Sequence, residues 1–225
     1  MLQLTKSDSE IQRQVLDEMK WDTRIKETEV GVEVDRGTVT LTGTVDNYAK
    51  KLVAQEAAHL VRGVRDVAND IQVRIPGTPG FTDTDIAHAV RRAIEWSTLV
   101  PTKLIQSTVS NGWVTLTGVV DYYSQRYDAE RAIEHLSGVK GVTNAITVRP
   151  MSVRPQDLKR KIEETLARRV DREAQRIGVE VHGSGDVTLS GRVPTWTDVR
   201  AILGAIRFAP GVRSIQNRLT VDPTL

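Results

Sequence analysis

Gly37-Thr38-Val39-Thr40-Leu41-Thr42-Gly43-Thr44-Val45 decides how this chain is read, because the stretch is written three times. Gly112 to Val120 runs Gly-Trp-Val-Thr-Leu-Thr-Gly-Val-Val, and Gly185 to Val193 runs Gly-Asp-Val-Thr-Leu-Ser-Gly-Arg-Val. The first glycines lie 75 and 73 residues apart, so one module is repeated three times. Within each copy β-branched and apolar residues alternate with polar ones, the period of a strand with one buried face. Val39, Leu41 and Val45 share that face, and the threonines point away. Gly43, and with it Gly118 and Gly191, falls on the apolar parity, which predicts a close backbone approach, for example by a helix.

Working outward, Val30, Val32 and Val34 alternate ahead of a turn at Asp35-Arg36-Gly37. Asn111-Gly112 in the second copy is a strong hairpin signal, and Gly183-Ser184-Gly185 in the third is one residue longer. A short helix precedes each hairpin. Its stripe is Ile11, Val15, Met19 in the first copy, Ile86, Val90, Ile94 in the second, and Leu158, Ile162, Leu166 in the third. Ser7 with Glu10 forms a capping box, Thr82 to Asp85 repeats it, and Pro155 suits a first helical turn. A second helix opens at Asn47-Tyr48, at Tyr122-Tyr123 and at Trp196, with Leu52, Val53, Ala57, Leu60 and Val61 inward in the first copy. It is stopped by Gly63, Gly138 and Gly211. A third strand follows, carrying Val67, Ile71, Val73 and Ile75, then Val142, Ile146 and Val148, then Ile215, Leu219 and Val221.

The predicted fold class is α+β. Three tandem α-β-β-α-β modules are expected over residues 7–76, 82–149 and 155–222, each a three-stranded mixed sheet with two helices on one face. The turn-rich linkers are Pro76 to Phe81 and Arg149 to Pro155. The threonine faces are expected to be buried against one another, because so small a core benefits from neighbours.

The pattern resembles the BON domain family (bacterial osmotically inducible and nodulation-type). The Gly-x-Val-x-Leu-x-Gly-x-Val stretches carry the likeness. So does a tail of Gly63-Val64, Val67, Asn69, Ile71 and Val73, matched by Gly138-Val139 to Val148 and by Gly211-Val212 to Val221. The resemblance implies an α-β-β-α-β fold, a stress-related role and binding to phospholipid surfaces; potassium binding is the family's cytoplasmic precedent. It implies no catalytic residue, and no enzyme is expected.

Composition adds bounds. There is no cysteine, hence no disulfide or thiolate chemistry. No run approaches a membrane span, and the N-terminus has no leader pattern. The expectation is a cytoplasmic protein, peripheral to the membrane, or a periplasmic one if a leader has been removed. Residues 1–76 carry 11 basic and 13 acidic side chains, 77–150 carry 7 and 7, and 151–225 carry 13 and 9, so the balance runs −2, 0, +4. The third module suits an anionic partner.

The expected lipid- or partner-binding residues are Arg91, Arg92 and Trp96, with Lys159, Arg160, Lys161, Arg168 and Arg169 in the third module. Trp21 and Trp96 end the first helix in two modules. An indole there serves either as a lid on a small core or as an anchor at a headgroup interface. Asn69, Asn144 and Asn217 share one parity of the third strand. They read either as a polar ligand site, potassium being the one cofactor considered, or as side chains bonding local backbone. Gly37, Gly112 and Gly185, with Gly43, Gly118 and Gly191, are structural. Gly138-Val139-Lys140-Gly141 matches a KH-type loop, but it joins a helix to a strand rather than two helices, so nucleic acid is not an expected partner. His59, His88, His135 and His182 are not equivalent between modules and show no ligand spacing. Self-assembly through the threonine faces is the remaining partner considered.

Overall fold

The computed structural model describes residues 6–74, 80–169 and 177–225. The expected linker residues Pro76, Gly77, Thr78 and Pro79, together with Ile75 and the side chain of Arg169, lie outside these. Helix α1 (Asp8–Trp21), strands β1 (Val30–Asp35) and β2 (Thr38–Val45), helix α2 (Tyr48–Leu60) and strands β3 (Asp66–Asn69) and β4 (Gln72–Val73) form the first module. The second comprises α3 (Asp83–Trp96), β5 (Ile105–Ser110), β6 (Trp113–Val120), α4 (Tyr123–Ile133) and β7 (Gly141–Val148). The third comprises α5 (Pro155–Arg169), β8 (Gly178–His182), β9 (Asp186–Val193), α6 (Trp196–Ile206) and β10 (Ser214–Val221). In each, the hairpin is antiparallel and the last strand runs parallel to its middle strand, giving the expected mixed three-stranded sheet. In the first module that last strand comes in two pieces, both on β2.

The alternation places Val39, Leu41 and Val45 in the first core with the helix stripe Ile11, Val15 and Met19, and the same sets recur in the other two cores. The motif glycines are explained by contact. A Cβ on Gly43, at φ +122°, would stand 2.2 Å from the carbonyl oxygen of Glu29, and one on Gly118 would stand 2.1 Å from that of Leu104. What approaches is the single 3₁₀ turn leading into the first strand, not a packed α-helix. At the other end of the hairpin, a Cβ on Gly37 would meet the carbonyl oxygen of Gly63 at 2.9 Å. The hairpin turn and the end of the second helix are thus pressed together, and the Arg65 amide donates to the Gly37 carbonyl at 2.8 Å.

Three expectations need correction. The second helices stop before their glycines, at Leu60, Ile133 and Ile206, because a further turn intervenes. Leu60 is half exposed rather than inward. The threonine faces are not buried against one another, since Thr42, Thr44 and Thr117 are exposed; residues at the starts of the second helices reach the neighbouring cores instead.

Candidate functional site: exposed helix ends and the module junctions

Trp21 and Trp96 end α1 and α3, and both are 86 % exposed. They are not lids on the core. The helical period explains this: Trp21 lies two residues past the buried Met19, about 200° around the helix, on the face opposite the stripe. Trp96 stands in the same relation to Ile94. Beside Trp96 the connecting loop exposes Leu99 and Leu104.

Arg91 is part-buried, and its guanidinium donates to the backbone carbonyls of Thr102 and Ile105, each at 3.3 Å. It therefore positions the loop that carries the exposed leucines and is not one of the surface cations. Arg92 is exposed and lines an open cleft with Phe81, Thr82, Asp85 and His88. Lys159, Arg160, Lys161 and Arg168 are exposed along α5. Lys159 pairs with Glu163 at 3.7 Å and Arg160 with Asp157 at 3.5 Å. Pairs this exposed are worth under about 1 kcal/mol and leave the cations available.

The asparagines make local bonds. Each side-chain oxygen accepts from the backbone amide two residues on: Ile71, Ile146 and Leu219 donate at 3.3, 3.2 and 3.0 Å. The Asn69 amide also donates to the Lys51 carbonyl at 3.0 Å, and that of Asn144 to the Arg126 carbonyl at 2.7 Å. Asn69 and Asn144 thus tie the second helix to the third strand of their own modules, Asn217 bonds within its own strand, and the three do not converge on one point. The Gly141 of the KH-like loop opens β7, where a Cβ would strike the Trp113 ring.

The junctions between modules were not foreseen. At the start of each second helix stands an aromatic residue, and each packs on the core of the next module. Tyr48 lies against the second core, Tyr123 against the third and Trp196 against the first. Three contacts of the same kind therefore close the chain on itself. Sequence did carry a signal, because Tyr48, Tyr123 and Trp196 are equivalent positions that alternation and capping leave unexplained.

Each junction has its own chemistry. Burial, and then the carboxylates of Glu130 and Glu134, push the Tyr48 hydroxyl pKa upward. Burial likewise raises Glu134 above the usual carboxylate range. Between the second and third modules the Arg207 guanidinium lies 3.4 Å from the Tyr127 ring centre. Between the third and first, Trp196 stacks on His59 with ring centres 4.3 Å apart and donates its Nε1–H to the Arg65 carbonyl at 3.0 Å. Arg200 bonds Glu56 at 2.7 Å beside it. Burial, and then Arg200, lower His59 to about 4. The stacking, the hydrogen bond and the half-exposed ion pair are each worth on the order of 1 kcal/mol.

Among the described residues no helix is long and apolar enough to cross a membrane. The BON domain model matches residues 7–75, 82–150 and 156–223. The chain belongs to the BON domain family, in three tandem copies. A curated relative is osmotically-inducible protein Y of Escherichia coli (strain K12), 31 % identical over 126 residues. That match covers 53 % of this chain and 62 % of the relative's length, so the chain spans less than two thirds of the relative it matches. Among solved structures, CdsD, a structural protein of the type III secretion system of Chlamydia trachomatis, is similar over 92 % of this chain and 90 % of its own, at 12 % identity and a TM-score of 0.25. So low an overall similarity bears on neither arrangement nor function.

Proposed function

We propose that this protein is a non-enzymatic binding protein of the stress response that associates with anionic phospholipid surfaces through the ends of its first helices. The observation that carries the reading is the pair of tryptophans, Trp21 and Trp96, each 86 % exposed at equivalent positions of two modules. A large apolar side chain so exposed, with Leu99 and Leu104 beside one of them, is costly in water and favourable at a headgroup boundary. Arg92, with Lys159, Arg160, Lys161 and Arg168 of the more basic third module, supplies attraction to anionic lipid.

Co-sedimentation with vesicles tests this. The full chain is expected to pellet with vesicles containing about one third anionic lipid, less so as salt rises, and not with purely zwitterionic vesicles. Trp21→Ala with Trp96→Ala should reduce pelleting by roughly tenfold or more. No pelleting at low salt, or full pelleting of the double variant, refutes the reading. The alternatives, a potassium or small-ligand sensor and a protein–protein scaffold, have less support: the Asn69 and Asn144 amides donate to backbone carbonyls inside their own modules, and the Asn217 oxygen accepts from its own strand.

A further inference from the structure

The outer face of the second sheet differs from those of the other two. Strands β5, β6 and β7 contain no charged residue. The first sheet carries Glu33, Asp35 and Asp66, and the third carries Glu180, Asp186, Arg192 and Arg218. The contrast is plainest at the two ends of the middle strand. Equivalent positions hold Thr38, Trp113 and Asp186 at one end, and Thr44, Val119 and Arg192 at the other. Trp113 is 50 % exposed and Val119 45 %. The Trp113 ring lies across Gly141 and donates its Nε1–H to the Thr143 hydroxyl at 2.8 Å, which fixes it on the sheet. A face free of charge, with apolar side chains held in the open, has the composition of an interface core, where charges are depleted.

We infer that the outer face of the second sheet is an interaction surface for the same face of a second copy of this chain. The face is complementary to itself. A two-fold axis lying between two such sheets and running across their strands reverses the strand direction. Trp113 of one chain then lies over Val119 of the other and over Thr147, the cross-strand neighbour of Val119, and the contact occurs twice. Between these ends Thr115 faces Thr117 of the second copy. Nothing charged loses water on either side. The same packing is unfavourable for the other two sheets. In the first it brings the carboxylates of Glu33 and Asp35 towards their own copies. In the third it buries Asp186 and Arg192, which are already paired with Arg213 and Asp222. The second sheet covers roughly 25 by 14 Å. Two such faces bury on the order of 1,000 Å² together, the low end for specific complexes, so the dimer is a weak one. Trp21 and Trp96 take no part in it.

Sedimentation equilibrium of the full chain, from about 10 to about 500 μM, tests the proposal at the concentrations a weak contact requires. The weight-average mass should rise with concentration towards twice that of the monomer. Val119→Lys sets an unpaired ammonium inside the contact and should weaken association by about tenfold or more. Thr44→Lys, the same change at the equivalent position of the first sheet, should leave it unaltered. Thr115→Glu and Thr117→Lys should each weaken the dimer, and an equimolar mixture of the two should regain it, because the introduced glutamate of one chain faces the introduced lysine of the other. Far-UV circular dichroism reports that each variant stays folded. An unaltered chain that remains monomeric throughout overturns the inference, and so does a dimer that folded Val119→Lys leaves intact. A mixture that associates no better than either variant alone overturns the antiparallel packing on which it rests.

Discussion

The first two modules and the third build the same sheet but fasten it differently. In the first, the Asp8 carboxylate at the start of α1 accepts from the Arg36 and Gly37 amides of the hairpin turn, both at 2.9 Å. In the second, Asp83 accepts from Asn111 and Gly112 at 2.8 Å. The third has Pro155 at that position, and Asp186, within the hairpin itself, pairs with Arg213 and Ser214 instead. The tie between second helix and third strand differs in the same way. Lys51 donates to the Ile71 carbonyl at 2.9 Å and Arg126 to that of Asn144 at 2.8 Å, but the equivalent residue in α6 is the buried Val199. Asn217 is left exposed, where Asn69 and Asn144 are half-buried. Hydrophobic patterning is enough to specify the module; polar fasteners are added where the sequence permits and are not what defines the fold.

Substitutions sharpen this contrast. The largest effect is expected where all modules agree. Gly43→Ala or Gly118→Ala drives a methyl group into a backbone carbonyl at positive φ, and each should cost about 3–5 kcal/mol in denaturant unfolding of its module. Next come the carboxylate ties. Asp8→Ala and Asp83→Ala each lose two charge-assisted bonds, for about 2 kcal/mol, while the third module offers no equivalent residue to remove.

The pH dependence of the third-to-first closure follows. His59 is lowered from 6.5 to about 4 in the closed form. The closure is therefore at full strength above about pH 6.5 and weakens as pH falls from there towards 4. The loss is about 1–2 kcal/mol once partial exposure is allowed for. Arg200 from α6 opposes protonation, and Glu56 on the same helix favours it. The raised Glu134 acts in the opposite sense at the first-to-second junction, which tightens as its carboxyl is protonated. Changes in Trp196 emission, read in a variant lacking the other tryptophans, should follow the His59 midpoint and vanish in His59→Gln. Smallest is the asparagine series: Asn144→Ala should cost about 1 kcal/mol and Asn217→Ala only a few tenths, measured as Tm shifts under one set of conditions.

The fold was legible in the sequence because its determinants are periodic. Val39, Leu41 and Val45 show which face is buried, and three copies remove the ambiguity of any one. The surfaces were less legible for particular reasons. Trp21 and Trp96 stood next to an apolar stripe and read equally well as core, until their angle from Met19 and Ile94 is counted. Arg91 looked like a surface cation because nothing local shows that its guanidinium reaches the carbonyls of Thr102 and Ile105, eleven and fourteen residues ahead. His59 has no equivalent histidine in the other modules, and its partner Trp196 lies more than a hundred residues away, where no local pattern reaches.

The most direct test of a lipid-facing role uses the four tryptophans as reporters. Single-tryptophan variants retaining Trp21, Trp96, Trp113 or Trp196 would be mixed with anionic vesicles whose acyl chains carry a bromine quencher. The account predicts blue-shifted and quenched emission for Trp21 and Trp96, and unchanged emission for Trp113 on the sheet and Trp196 at the closure. Quenching of Trp113 or Trp196 in place of Trp21 and Trp96, or no quenching of any of the four, would contradict it.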